Sequence, residues 1–266
     1  MNFETTPISI VTVCYNAGRE IEKTMRSVLS QTYSNIEYII IDGKSTDGTL
    51  EVINRVRDDY NSANLILLSE PDNGIYDAMN KAIKLASGEW INFMNAGDTF
   101  FSPNAIEKFF LAANVKDDVD ILYGDVVFKY PFGNYYRKCD HDYWCHQSLF
   151  SRSSIQKKYL FDLSYKIMAD ADFIHKAQMA GSKMQYVPVC VSVYECFYGL
   201  SSTSDEQVFL EKSRILGVKK TMLWHVRRLY YRYMSKIRNF MPMEKRISNV
   251  RKRVTKNTLL KKIELY

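Results

Sequence analysis

The chain has 266 residues, 46% of them hydrophobic and 25% charged, values of a globular protein with room for one large α/β domain or a domain plus an appendage. Its five cysteines (Cys14, Cys139, Cys145, Cys190 and Cys196) are odd in number and form no CxxC pair, which argues against a disulfide framework or a zinc site and for a reducing compartment. The net charge of +6 hides an asymmetry: residues 219–266 carry 15 Lys and Arg against two acids, net +13, while residues 1–218 carry 21 basic and 28 acidic residues, net −7.

Residues 1 to about 115 read as repeated strand–helix units. ISIVTV (8–13) is a β-branched apolar run, the pattern of a buried strand. GREIEKTMRSVLSQ (18–31) places Ile21, Met25, Val28 and Leu29 at helical spacing. IEYIIID (36–42) is the next strand, and Thr46 or Asp47 is placed to cap the helix TLEVINRVRDDY after it. LILLSE (65–70) is a third strand, followed by PDNG and a helix with Ile75, Met79, Ala82, Ile83 and Ala86 on one face. EWINFMN (89–95) is the fourth strand, and SPNAIEKFFLAA reads as a helix with Ser102 as N-cap and Pro103 at its first position. Farther on, ILYGDVVFKY, GNYYRK and MQYVPVCVSVYE have strand character, and Ser153–Tyr159 and Ala169–Gly181 helical character. From about 205 the pattern is helical to the end.

Alternating strands and helices with short connections imply a mostly parallel sheet covered on both faces. Ligands of such sheets bind beyond the carboxyl ends of the strands. The four loops at that edge are CYNAG, DGKSTDG, EPDNG and NAGD. Each alone reads as a plain turn; four polar loops at one edge, three with a carboxylate, point to a polar ligand.

The ordered series IVTVCYNAGREIEKTMRSVLSQTYSNIEYIIIDGKSTDGT, EPDNGIYDAMNKAI and GEWINFMNAGD closely resembles family 2 glycosyltransferases of the GT-A fold, over about residues 6–110. Its IYDAMNKAI…NAGD version is similar to the subgroup that builds bacterial surface polysaccharides such as colanic acid and O-antigen. The resemblance implies a GT-A domain over 1–205, with a nucleotide half (about 6–115), an acceptor half (about 116–205) and a helical basic extension (206–266). It implies an inverting transfer from a nucleotide-diphosphate sugar, a UDP-sugar by family habit, to a lipid-linked glycan. It places the Val13 backbone and the Tyr15 ring near the base, Asp42 as acceptor for the base imide N–H, and Asp72 and Asn80 beside base and ribose. Asp42 also reads as a turn residue before Gly43. Asn95-Ala96-Gly97-Asp98 occupies the place of the family's metal-binding Asp-x-Asp, with two of three acids missing. Mg²⁺ or Mn²⁺ would then fall to Asp98, with Asn95 on the ribose or a metal-bound water, because a nucleotide-bound magnesium needs only one or two carboxylates. His146 is placed near the same metal or the diphosphate, and reads equally as a buried, hydrogen-bonded histidine. The departure leaves open a second reading, a nucleotide-sugar-binding module impaired in catalysis. MADADFIHKAQMAG (168–181) matches the helix that carries the general base. Asp170 is favoured over Asp172, since acids two apart do not share a helix face; both also suit a helix N-terminus. YGLSS (198–202) resembles the mobile loop over the diphosphate and reads equally as a linker.

In the extension, Met222, Val226, Leu229, Tyr233, Ile237 and Phe240 recur at helical spacing, with Arg227, Arg228, Arg232 and Lys236 off that stripe and Trp224 nearby. This is the pattern of a basic amphipathic helix on an anionic membrane surface, or of a helix packed on the domain with a solvated basic face. No reading motif accompanies the charge, which argues against nucleic acid. No apolar run of about 18 residues is present to span a bilayer, and MNFETTPISIVTV lacks a signal-peptide pattern. The expectation is a cytoplasmic protein, peripheral on the inner face of the cell membrane.

Overall fold

A computed structural model describes residues 6–60, 64–115, 118–140, 143–197 and 204–264. Four parallel strands form its N-terminal half: β1 (Ile8–Cys14), β2 (Ile36–Asp42), β3 (Leu65–Ser69) and β4 (Trp90–Phe93), ordered β4-β1-β2-β3. Between them run α1 (Ile21–Leu29), α2 (Thr49–Tyr60) and α3 (Ile75–Leu85). β1 is buried throughout, and successive side chains enter opposite cores. Ile8 and Ile10 pack in one cluster with Ile21 and Met25 of α1 and Ile53 of α2. Val11 and Val13 pack in the other with Met79, Ala82 and Ile83 of α3. Burial on both faces explains why β1 reads as a continuous apolar run.

The second half is mixed. After β5 (Thr99–Phe100) and α4 (Ala105–Ala113) come β6 (Ile121–Tyr130), β7 (Gly133–Arg137) and β8 (Leu149–Arg152). β8 lies antiparallel between β4 and β6 and joins the two halves into one sheet. α5 (Ser153–Lys158) and α6 (Ala169–Met179) follow, and β9 (Met184–Glu195) returns parallel to β6. Where those two strands shift register, a Cβ on Gly124 would lie 2.6 Å from the Val189 carbonyl oxygen, so only glycine fits.

The extension contains α7 (Asp205–Ile215), α8 (Met222–Phe240) and α9 (Met243–Lys256). It is not helical to its end: β10 (Leu260–Ile263) pairs antiparallel with β7 and covers what would be an open sheet edge. Nor does Ser102 cap α4. Its hydroxyl turns to the Asn104 side chain at 2.9 Å, and Asn104 is the N-cap, without a side-chain cap bond. Asp47 does hold the start of α2, accepting the Thr49 N–H at 3.2 Å and reaching across to the Gly18 N–H at 3.1 Å.

Candidate active site

The carboxyl ends of β1 to β4 bring the four polar loops to one edge. Asn16 ties the first to the second: its Oδ1 accepts the Thr46 N–H, and its N–H bonds the Ser45 hydroxyl. At this joint the Tyr15 ring is 65% exposed, a flat open surface.

Two residues expected to meet the base are otherwise engaged. Asp42 is 0% exposed. Its Oδ2 accepts the Ser45 N–H (3.1 Å) and the Ser69 hydroxyl (2.6 Å), and its Oδ1 faces the Cys14 thiol at 3.7 Å. It clasps β1, β2 and β3 together and does not face the opening. Val13 is buried, and its carbonyl is directed at the Ala96 N–H. The open carboxylate is Asp72. Its Oδ1 accepts the Gly74 N–H at 2.8 Å, which fixes the loop. Its Oδ2 lies over Gly43, where an added Cβ would meet it at 2.5 Å and the Tyr15 ring at 3.3 Å. Tyr15, Gly43 and Asp72 therefore form one recess, and the absence of a side chain at 43 lets Asp72 enter it.

Asn80, expected beside the ribose, is engaged with the protein as well. Both halves of its amide bond the Phe161 backbone, Nδ2 to the carbonyl (2.8 Å) and Oδ1 from the N–H (2.9 Å). It locks α3 to the segment that leads toward α6.

At the end of β4, Gly97 adopts φ +104, a backbone that favours glycine. Asp98, 4% exposed, turns inward. Its Oδ2 accepts from Gln147 Nε2 and its Oδ1 from the Glu195 N–H, both at 2.9 Å. Burial pushes its carboxyl up to about 7 despite those two bonds. It is a clamp between the β4 turn, β9 and the His146–Ser148 turn. Asn95 Oδ1, by contrast, is buried with no protein partner.

His146 lies between the rings of Phe93 and Phe161. Its Nδ1 is 3.6 Å from Asp170 Oδ2, and its Nε2 is buried without a partner. Burial lowers its affinity for a proton, partly opposed by Asp170. Asp170, in the first turn of α6, has its proton affinity raised by burial, opposed by His146 and by the Ala171 N–H, which its Oδ1 accepts at 2.8 Å. Asp172 is bound elsewhere, to Lys176 at 2.6 Å and to the Tyr165 hydroxyl. Of the two acids, Asp170 alone reaches His146.

Among the described residues no site holds a divalent ion through protein ligands alone. Asp98 and His146 are not brought together as ligands: one bonds Gln147 and Glu195, the other faces Asp170. Among the described residues no group of three His, Cys, Asp or Glu could hold a metal. The YGLSS stretch lies outside the described residues. Sequence reasoning missed Gln147, whose adjacency to His146 was a signal, and the Glu195 N–H, which left none.

A half-parallel sheet with the Tyr15–Gly43–Asp72 recess beyond β1–β3 and a half-buried Asp–His pair beyond β4 has the architecture of the GT-A fold. The model of "Glycosyl transferase family 2" matches residues 9–177. The chain belongs to that family and is a glycosyltransferase. It is 29% identical over 222 residues to a "PGL/p-HBAD biosynthesis glycosyltransferase" of Mycobacterium bovis, covering 79% of this chain and 86% of the relative. It is 32% identical over 133 residues to the Escherichia coli "UDP-Glc:alpha-D-GlcNAc-diphosphoundecaprenol beta-1,3-glucosyltransferase WfaP", covering 50% and 47%. The mannosyltransferase PcManGT of Pyrobaculum calidifontis, in complex with GDP-Man and Mn²⁺, superposes with TM-score 0.64 at 14% identity, over 87% of this chain and 70% of that one. At that identity the likeness shows the fold alone.

Proposed function

We propose that the protein is an inverting transferase that moves a sugar from a UDP-sugar to a hydroxyl of a polyprenyl-diphosphate-linked glycan, with Asp170 as general base. The observation that carries this is the Asp170–His146 pair, placed at the same sheet edge as the Tyr15–Gly43–Asp72 recess. Burial raises the proton affinity of Asp170, which suits a group that must take a proton from a sugar hydroxyl. The acceptor proton passes to Asp170, the acceptor oxygen bonds the anomeric carbon, and the bond from that carbon to the diphosphate breaks with inversion. Tyr15 offers the base a ring, and Asp72 Oδ2 an acceptor for its imide N–H, a charge-assisted bond about twice as strong as a neutral one. Asn95 Oδ1 and His146 Nε2, buried without a protein partner, are the atoms we assign to ribose and diphosphate in the bound enzyme. The printed names of relatives agree in kind: WfaP uses UDP-Glc and a diphosphoundecaprenol-linked acceptor.

The acceptor's lipid accounts for the extension, which we assign to an anionic membrane surface on the cytoplasmic side. Among the described residues no helix is long and apolar enough to cross a bilayer. α8 packs its Trp224 side on α7, with Trp224 Nε1 donating to the Ser213 hydroxyl at 3.1 Å. Trp224 is thus a docking residue of the protein interior, not a lipid anchor. The opposite side, with Met222, Val226, Leu229, Tyr233 and Phe240, is open, Leu229 being 62% and Phe240 89% exposed. Arg227 and Lys236 lie on the same helix. An apolar stripe on a cationic helix complements an anionic bilayer.

The test is transfer by the purified protein from a panel of nucleotide sugars to a synthetic polyprenyl-diphosphate sugar, with product stereochemistry read by NMR. Asp170→Asn is expected to slow transfer by about 10²- to 10⁴-fold while calorimetry shows UDP still bound. Full activity in that variant rejects the assignment of the base.

A further inference from the structure

We propose that Glu211, on α7 of the extension, is a positioning residue for Asp170. The inference rests on Asp170 acting as the general base. Glu211 is 4% exposed, yet no other reading above gives it a role. Its carboxylate accepts four hydrogen bonds: the backbone N–H groups of Lys166 (2.8 Å), Ile167 (3.0 Å) and Met168 (2.8 Å), and Gln207 Nε2 (2.6 Å). Those three backbone groups belong to the segment that enters α6, and Asp170 follows two residues after the last of them.

The N-cap of α6 is Met168, which has no side-chain oxygen and makes no cap bond. Backbone donors at a helix start require an acceptor, and here a carboxylate on another helix serves the residues leading in. The same segment is held on its other side, where the Tyr76 hydroxyl of α3 donates to the Ile167 carbonyl. Residues 166–168 are therefore fixed by N–H and by C=O from two different helices. Catalytic groups must be held within about 0.5 Å of the productive geometry, and this brace sets where the first turn of α6, and Asp170 with it, meets His146. Glutamine does not substitute. An amide replaces one acceptor oxygen with an NH₂, which would oppose a backbone N–H.

The test compares Glu211→Gln and Glu211→Asp with the unchanged full-length protein, in a transfer assay run well below the melting temperature, with folding verified by circular dichroism. Glu211→Gln is expected to lower kcat at least tenfold, with KM for the nucleotide sugar and Kd for UDP within about twofold. Glu211→Asp keeps the charge one methylene short and is expected to recover part of kcat. A bond that only stabilised the fold would lower the melting temperature and leave kcat of the folded protein alone; that result overturns the proposal, as does a parallel loss of kcat and UDP affinity. Should Glu211→Gln not fold, Gln207→Met removes one donor from the same carboxylate: a lower kcat at unchanged KM supports the brace, and an unchanged kcat overturns it. Asp170→Asn, assayed beside them, separates the two levels. Full activity there removes the base and the brace together, whereas an inactive Asp170→Asn with fully active Glu211 variants removes the brace alone.

Discussion

Asp42 and Asp72 stand at neighbouring strand ends, and what already holds each carboxylate decides its role. Asp42 has both oxygens turned into the protein, so Asp42→Asn is expected to cost about 1–3 kcal/mol of stability, read as a lower melting temperature. Asp72 keeps one oxygen open over Gly43, so Asp72→Asn is expected to weaken UDP binding roughly tenfold by calorimetry with little change in melting. Asp98 gives a pH signature. Its carboxyl is raised to about 7 in the fold, above its ordinary value, so the folded state binds that proton more tightly than the unfolded chain does. Stability from this site is full at low pH and is lost as pH rises toward 7. The melting temperature of the native protein should therefore fall, relative to Asp98→Asn, between about pH 4 and 7. For Asp170, the proposed base, the raised proton affinity would act on rate: a base must be ionised, so kcat should decline on the acid side at a higher pH than an ordinary carboxylate would give. The order of the strand-end carboxylates was legible in the sequence. Their engagement was not, because Asp98 is held by Gln147 and Glu195, 49 and 97 residues away, and Asn80 by Phe161, 81 residues away.

At the level of elements, periodicity located every strand of the parallel half, because each is a buried apolar run closed by a polar loop. It failed for β8 and β10. LFSR and LKKI are four residues each, too short for a period to show, and what makes them strands is the edge they meet. β10 follows fourteen residues of basic helix and carries two lysines itself, so local pattern favours continuation of the helix; the unpaired edge of β7 overrides it. The loops show the same dependence on context. Gly43 looks like a turn glycine, whereas in the fold a side chain there would meet the Asp72 carboxylate. Gly43→Ala should displace that carboxylate and weaken UDP binding about as much as Asp72→Asn does, which binding measurements on the two variants would compare.

The whole molecule is polarised, with an acidic body of −7 and a basic extension of +13. Part of that charge is spent internally: Arg228 and Arg232 reach Glu206 at 3.1 and 3.6 Å, and Arg238 pairs with Asp205. Arg227 and Lys236 of α8 have no such acidic partner among the ion pairs of the described residues. Co-sedimentation of the full chain with phosphatidylglycerol-containing vesicles should exceed that with neutral phosphatidylcholine vesicles and weaken as salt is raised, since the Debye length falls from about 10 Å at 0.1 M to about 3 Å at 1 M. Leu229→Glu with Phe240→Ser should remove most of it. Equal binding of that variant, or its conversion from a dimer to a monomer, would assign the stripe to a protein partner instead.

The pairing of β10 with β7 gives the extension a second attachment to the catalytic sheet, beyond the packing of α7 on α6 and α8 on α7. The cationic helices are thus a handle fastened at both ends rather than a free tether. A handle of that kind cannot pay out slack. On the membrane contact and acceptor proposed above, the cleft would stand at one set height above the headgroups, and the enzyme would act as a gauge of how far a sugar projects from its lipid, accepting the one whose hydroxyl reaches the proposed base.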